Sequence, residues 1–346
     1  MGSGSIGTVL GALLTAGGAQ VDLIDTFLPH VEALRTKGAR ITGGLDMTVS
    51  VSALSPAELS GSYDLVFLLC KQTGIEDALA ALKPHLRADS TVCALENGIP
   101  EERVAAIVGR ERTIGGIVLF GATWEAPGIV RCTSGGSHMK ESALIEIGEL
   151  DGKVTPRLLE VQRYLSRAGK IEITQSLLET RWTKILINAT ASGMSAALGC
   201  DYGGVLDRED AMLALAYIGD ETVKVANAKG LRLTTVFGSD FQEREIRPGE
   251  TVRDKLTFYH ELWEEKHRAL KASMLQDLEK RRPCEIDFIN GAVSSGGRET
   301  GVPTPFNDLV VAIVKLEERY GFVAQPEDTL PLFSAALACR KAQNGR

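Results

Sequence analysis

Residues 64–71, DLVFLLCK, make a short, almost unbroken apolar run between an acid and a base. A strand with one wet face needs apolar residues only at alternate positions, so a continuous run fits a strand covered on both faces by helices. The surrounding sequence has the matching alternation. QVDLID reads as a strand, TFLPHVEALRTKG as a helix, and ARITGG and DMTVSVSAL as further strands. GIEDALAALKPHL then reads as a helix, STVCALENG as a strand, PEERVAAIVG as a helix and RTIGGIVLFGATWEAPGIVRC as later strands. Strands alternating with helices imply right-handed βαβ crossovers and an open, mostly parallel sheet.

After about residue 175 the strand pattern stops. LLETRWTKILINATASGMSAALG, REDAMLALAYIGDETVKVANAKG, FYHELWEEKHRALKASMLQDLEKR, CEIDFINGAVSSGG and TPFNDLVVAIVKLEERYG all carry apolar residues at helical spacing. GSDFQEREIRPGETVRDK reads as a polar loop between helices. The expected organisation is an α/β domain over 1–172 and an all-α domain over 173–346, and 346 residues suffice for two cores.

Gly2-Ser3-Gly4-Ser5-Ile6-Gly7 spells G-x-G-x-x-G, the turn with which a dinucleotide-binding βαβ unit meets a pyrophosphate. Gly2 allows the tight turn, Gly4 lets backbone approach the anion, and Gly7 lets the helix lie close on the sheet. A strand normally delivers the chain into this turn, and none precedes Gly2. The expectation is that this first strand, central in the parallel sheet, has been cut off. A flexible N-terminus accounts equally for the glycine pattern taken alone. Asp25, at the end of QVDLID, stands where such a unit places the acid for the ribose hydroxyls, although strand-end Asp residues also simply start loops.

A net charge of -7 argues against a nucleic-acid surface, which needs clustered positive charge. Six cysteines lie scattered without C-x-x-C spacing, and the five histidines lack ligand spacing, so no metal site or disulfide framework is expected. His260 and His267 flank the charged stretch ELWEEK and read as surface residues. IGTVLGALLTAGG lacks the basic start and cleavage pattern of a signal peptide and is too short to span a bilayer. A cytoplasmic protein without membrane contact is expected.

Two polar sets stand out in the helical half. Lys184, Asn188 and Ser192 recur at i, i+4 and i+8, which lines an amine, an amide and a hydroxyl along one helical stripe. Ile185, Leu186 and Ile187 would anchor the other faces. A lysine in such a stretch is costly to bury without work or a partner, unless its stem simply carries the charge to water. Ser273 precedes a break at Pro283, and Glu285 follows it in the expected first turn of a new helix. Glu285 could equally be an acid stabilised there by the helix dipole.

The chain resembles the ketopantoate reductases (2-dehydropantoate 2-reductases) from Gly2 to about Leu330. The resemblance rests on G-x-G-x-I-G, Lys71 after DLVFLLC, ENG at 96–98, FGAT followed by PG at 120–128, RWTKILIN at 181–188, and SMLQD with EIDFING at 273–291. It implies a Rossmann-type domain followed by a helical domain of the 6-phosphogluconate-dehydrogenase C-terminal type. It further implies NAD(P)H-dependent reduction of a 2-oxo acid, 2-dehydropantoate first, in pantothenate and coenzyme A biosynthesis. Lys184 looks like the family's general acid and Glu285 like its essential acid, which holds the substrate hydroxyl and the lysine and also meets cofactor. Asn97 and Lys71 fall where the family contacts nicotinamide ribose and substrate, and Asn188, Ser192 and Ser273 fall on the oxo-acid side. A homodimer is expected from the long apolar face of the helical half.

Two departures bear on specificity. The family often has Asn where Ser192 and Leu270 stand, which opens the alternative of a different 2-oxo acid. The family most often uses NADPH, yet Asp25 is followed by Thr26, Phe27 and Leu28 with no base to meet a 2′-phosphate, which favours NADH. A non-catalytic NAD(P)-binding regulator is the remaining alternative; it leaves the Lys, Asn, Ser and Glu set without a purpose.

Overall fold

The computed structural model describes residues 1–236 and 238–344. The chain divides into two compact units, Met1–Leu177 and Leu178–Arg346.

The first unit opens with helix α1 (Ser5–Ala16), strand β1 (Asp22–Ile24), helix α2 (Leu28–Lys37) and strands β2 (Ala39–Gly43), β3 (Met47–Val49), β4 (Ser52–Leu54) and β5 (Tyr63–Leu68). Helix α3 (Ile75–Leu82), strand β6 (Leu86–Ala94), helix α4 (Glu101–Val108) and strands β7 (Thr113–Val118), β8 (Ala122–Ala126) and β9 (Ile129–Cys132) follow. Helix α5 (Gly136–Glu141), strand β10 (Ile145–Gly148), helix α6 (Pro156–Leu165) and strand β11 (Ile171–Ile173) complete it. Because β11 pairs with β10, the unit runs past residue 172.

Strands β5, β6 and β7 are parallel, and β10 joins β7 antiparallel. Strand β1 pairs in parallel with β4. Met1–Ser3 lie between β1 and β5 and bond to both. The Met1 ammonium donates to the Phe67 carbonyl at 2.8 Å, Leu69 N–H donates to the Met1 carbonyl at 2.9 Å, and Gly2 N–H donates to the Ile24 carbonyl at 2.8 Å. The order across the unit is therefore β4, β1, Met1–Ser3, β5, β6, β7, β10, β11. Val66 and Leu68 of β5 pack on the side of α3 and α4, while Leu65 and Phe67 face the larger core beneath α1. Both faces of DLVFLLCK are thus covered, as its unbroken apolar run requires.

Four of the expected sheet strands lie elsewhere. β2, β3, β8 and β9 form a separate mixed sheet in the order β3, β2, β9, β8, packed on α1. The reason is local: β8 and β9 are joined only by Pro127 and Gly128, and so short a connection forces antiparallel pairing.

The second unit holds α7 (Leu177–Ile187), a π-helical turn at Asn188–Ser192, α8 (Gly193–Leu198), α9 (Tyr202–Leu206) and α10 (Glu209–Ala228). A two-residue ribbon of β12 (Thr235–Val236) and β13 (Ser239–Asp240) interrupts the expected polar loop. Helices α11 (Leu256–His267), α12 (Ser273–Glu279), α13 (Asn290–Thr300), α14 (Pro305–Tyr320) and α15 (Pro326–Asn344) complete it. Helix α10 is buried nearly all round and packs against α13, α14, α15 and the π turn.

The long helix expected over FYHELWEEKHRALKASMLQDLEKR is broken between α11 and α12. The carbonyls released there have a use. Arg268 and Leu270 accept the N–H groups of Gly203 at 2.7 Å and Tyr202 at 3.0 Å, which satisfies the first turn of α9.

A Cβ on Gly7 would overlap the Gly2 carbonyl oxygen, whereas one on Gly4 would meet nothing within 4 Å. Gly7→Ala is therefore expected to destabilise the first unit by about 1–3 kcal/mol, the usual range for overpacking against atoms that cannot yield. Gly4→Ala should stay within about 0.5 kcal/mol of the parent. Urea unfolding followed by circular dichroism measures both.

Candidate active site

In the first unit the parallel strands end on one edge, and the candidate residues collect there. The backbone of Gly2 adopts φ +88°, and a Cβ on it would overlap Cys70 backbone. Only glycine fits this passage over the end of β5. Helix α1 then begins with Gly4 as its cap, without a capping side chain and without an acid in its first turn. The N–H groups of Ser5, Ile6 and Gly7 head this helix, and with the open space at Gly4 they form a cradle that suits a pyrophosphate. Ile6 packs its side chain against the core and so fixes the angle of the turn.

Asp25 follows β1 directly. Its backbone N–H donates to the Leu54 carbonyl at 3.1 Å, and its Oδ1 accepts the Phe27 N–H at 2.9 Å. That leaves Oδ2 for a diol. Thr26, Phe27 and Leu28 are exposed. The bases of α2 come only in its last turn, where Arg35 is bound to Glu58 and to the Ala53 carbonyl.

Lys71 follows β5 at the start of a 3-10 turn, Gln72–Gly74, and Asn97 follows β6. Gln72 joins these loops: its side-chain amide donates to the Asn97 carbonyl, and Arg103 donates to its Oε1 at 2.8 Å and to its backbone carbonyl at 3.2 Å. Nothing in the sequence singled out Gln72, because a buried glutamine shows its partners only once the strands are aligned. Burial, with Glu96 adding to it, pushes the Cys70 thiol up to about 12, so it stays a thiol.

In the second unit Lys184 and Asn188 are half-buried while Ile185, Leu186 and Ile187 between them are buried. The Lys184 ammonium has no hydrogen bond or ion pair among the described residues. Burial lowers it from 10.5 to about 8. Beyond it the helix widens. Ser192, expected as the third member of the stripe, closes a turn of i→i+5 bonds and does not share the partial exposure of the first two. Ser192 is buried instead, its hydroxyl 2.8 Å from the Tyr202 hydroxyl on α9, with Trp263 edge-on to Tyr202.

The π turn is held by a buried polar chain. Thr190 donates its hydroxyl to the Leu186 carbonyl at 2.8 Å. Asn290 Nδ2 lies 3.1 Å from the Ala189 carbonyl and 3.0 Å from Asn307 Oδ1, and donates to both. Asn307 Nδ2 donates to Glu221 at 2.7 Å, and Glu221 also accepts the N–H groups of Phe306 and Asn307 at the start of α14. Burial pushes the Glu221 carboxyl up to about 7. Asn290, Asn307 and Glu221 bond to partners 17 to 101 residues away, which hid the set from sequence reading.

Ser273 is the exposed first residue of α12, which packs against the π turn and α8. Glu285 is 2% exposed. It precedes a 3-10 turn, Ile286–Phe288, and the α-helix begins only at Asn290. Glu285 is thus not in the first turn of an α-helix: Cys284 N–H is taken by Glu318 at 2.7 Å, which ties the chain after Pro283 to α14 before a helix can form. Among the described residues no group of three His, Cys, Asp or Glu side chains could hold a metal ion, and no helix is long and apolar enough to cross a membrane.

A glycine turn heading a helix at the strand-end edge of a parallel sheet, with a strand-end acid beside it, is the arrangement of a dinucleotide-binding unit of the Rossmann class. The profile of the ketopantoate reductase PanE/ApbA domain matches residues 1–151, and that of its C-terminal domain matches residues 176–318. A 2-dehydropantoate 2-reductase of Pyrococcus horikoshii is 29% identical over 323 residues, covering 93% of this chain and 97% of that protein. A ketopantoate reductase of the PanE/ApbA family from Ralstonia eutropha superposes with TM-score 0.76 at 24% identity over 93% of this chain and 98% of its own. A D-mandelate dehydrogenase, solved with NADH and anilino(oxo)acetate, superposes with TM-score 0.77 at 24% identity over 92% and 97%. The chain belongs to the ketopantoate reductase family and is an NAD(P)-dependent oxidoreductase.

An ammonium held without a partner weakens the fold that holds it. Because the folded-state value lies below the unfolded one, the penalty is full below about pH 8 and fades as pH rises towards 10.5. Lys184→Met is expected to raise stability at pH 7 by about 1–2 kcal/mol, less than the full shift because the side chain keeps some solvent, and by less at pH 9.5. Urea midpoints at the two pH values check this.

Proposed function

We propose that the protein reduces a 2-oxo acid to a 2-hydroxy acid with NADH, that 2-dehydropantoate is the substrate, and that Lys184 is the proton donor. The observation that carries this reading is the Lys184 ammonium, half-buried, lowered to about 8 and bonded to no described residue. Addition of hydride to a ketone builds negative charge on its oxygen. An ammonium within hydrogen-bond reach stabilises that charge and delivers the proton that completes the hydroxyl. An amine lowered to about 8 gives up its proton more readily than an ordinary lysine and is still mostly protonated at neutral pH. The nicotinamide supplies the hydride when bound.

The remaining roles follow the resemblance to the family and the placement of each residue. Gly2, Gly4, Ser5, Ile6 and Gly7 form the pyrophosphate turn, and Asp25 accepts from the ribose diol. Lys71 and Asn97 meet the nicotinamide end and the substrate. Asn188 and Ser273 hold the oxo acid, and Glu285 holds the substrate hydroxyl and orients the lysine. Ser192 acts one step removed, by fixing Tyr202. The NADH preference rests on Asp25 followed by exposed Thr26, Phe27 and Leu28, since a carboxylate without a neighbouring base repels a 2′-phosphate.

A second reading keeps this chemistry on a different 2-oxo acid. It is favoured by Leu270, and by the Ser192 hydroxyl being turned to Tyr202, at two positions where the family often has Asn. Initial rates over a panel of 2-oxo acids with graded side chains separate the two readings.

Lys184→Ala is expected to lower kcat on the best oxo acid by roughly 10²- to 10⁴-fold, the usual worth of a positioned acid, with NADH oxidation read at 340 nm. The acid must be protonated to act, so kcat/KM of the parent should fall as pH rises through about 8. Full turnover by the alanine variant sinks the proposal. For the coenzyme, kcat/KM with NADH should exceed that with NADPH by at least about tenfold, and Asp25→Ser with Thr26→Arg should narrow or invert the ratio. An unchanged ratio would remove Asp25 from the explanation.

A further inference from the structure

His30 stands in the first turn of α2, is 1% exposed, and has no part in the roles above. Its ring joins three separate segments. Gly128, in the tight turn between β8 and β9, places its backbone N–H 2.9 Å from Nδ1. A backbone amide can only donate, so Nδ1 is the acceptor and the ring proton sits on Nε2. Nε2 lies 2.7 Å from the Ser3 carbonyl and 3.1 Å from the Thr8 hydroxyl oxygen. The Thr8 hydroxyl in turn donates to the same Ser3 carbonyl at 2.7 Å. The second residue of the glycine pattern therefore has its carbonyl gripped from the buried side by two donors.

This grip has a consequence on the outer side of the turn. Among the described residues no peptide bond is cis, so the Ser3–Gly4 peptide is planar and trans, and its C=O and N–H point in opposite directions. Pinning the Ser3 carbonyl inward turns the Gly4 N–H outward, away from His30 and Thr8. Thr8 alone could hold the carbonyl only from within α1 itself. His30 ties it to α2 and, through Gly128, to the β8–β9 hairpin, whose Gly128 carbonyl is bonded by Arg40 N–H at 2.9 Å.

We infer that His30 is a positioning residue for dinucleotide binding, which aims the Gly4 amide at the pyrophosphate through its Nε2–H bond to the Ser3 carbonyl. This rests on the first unit being the dinucleotide-binding unit and is independent of the identity of the oxo acid. His30 lies on the far side of the peptide from the ligand, so its effect reads out in cofactor affinity and leaves kcat at saturating cofactor in place.

The test uses the two halves of the ring separately. His30→Asn keeps an acceptor for Gly128 N–H but does not reach Ser3, whereas His30→Gln places a donor near the Nε2 position and gives up the Gly128 bond. Each variant strands one buried group, so the two should lose similar thermal stability. NADH titration by calorimetry should show Kd raised about tenfold or more for His30→Asn and within about threefold of the parent for His30→Gln. Thr8→Val, which removes the other donor while leaving the ring in place, should raise Kd severalfold and serves if the histidine variants fail to fold. Parent-like affinity in His30→Asn, or equal losses in the Asn and Gln variants, overturns the inference and assigns His30 a purely structural role. Failure of the parent to bind either NADH or NADPH overturns the dinucleotide reading together with it.

Discussion

The first unit depends on a single close passage of backbone, where Met1–Ser3 run between β1 and β5. Carbonyls of Ile24, Phe67 and Met1, the Met1 ammonium and the amides of Gly2, Ser3 and Leu69 are satisfied there together. These bonds close the sheet and set the register of the ligand edge at the same time. Asp25 is the next residue after Ile24, and Lys71 lies two beyond Leu69, so neither can shift without breaking a sheet bond. The passage is narrow enough to exclude any side chain at Gly2 and Gly7. Its inner wall is polar, made by His30 and Thr8, and that polarity fixes which way the peptides of the turn face.

In the second unit the comparable constraint is the π-helical turn. Widening a helix by one residue frees carbonyls that an α-helix would satisfy, and the cost of burying them is met by Thr190, Asn290, Asn307 and Glu221. The result is a rigid break directly after Lys184 and Asn188. π turns inside helices recur at functional sites, and here the turn separates a half-buried stripe from a fully buried hydroxyl. The Lys184 amine is held where water solvates it poorly, and among the described residues no acid pairs with it. That lowered proton affinity is what the proposed role of Lys184 as proton donor draws on.

Much of this was legible in the residues, and the failures share a cause. DLVFLLCK as a buried strand, the turn from glycine into α1 and the place of Asp25 directly after β1 depend on neighbours within one element, and the structure has these elements where they were read. The strands of ARITGG, DMTVSVSAL and GATWEAPGIVRC were recognisable as strands, but which sheet they join depends on the hairpin at Pro127–Gly128. The break between α11 and α12 could not be seen, because the carbonyls of Arg268 and Leu270 are claimed by α9, far away in sequence. Ser192 looked like a third member of the Lys184 stripe because helical arithmetic assumes an unbroken 3.6-residue period, and Glu285 looked helical because Pro283 usually opens a helix.

The sequence by itself determined the order of elements, the division into an α/β and a helical half, the family, and the residue types on which reduction of an oxo acid can draw. The order and division follow from periodicity and turn residues, which are local properties of the chain, while the family and its chemistry follow from a resemblance carried by motifs along it. Tertiary structure alone decided that burial lowers the proton affinity of the Lys184 amine, that the Ser192 hydroxyl meets that of Tyr202, and that His30 and Thr8 hold the Ser3 carbonyl. Burial and hydrogen-bond pairing arise between segments remote in sequence, and a proton affinity or a peptide orientation exists only once those segments have packed.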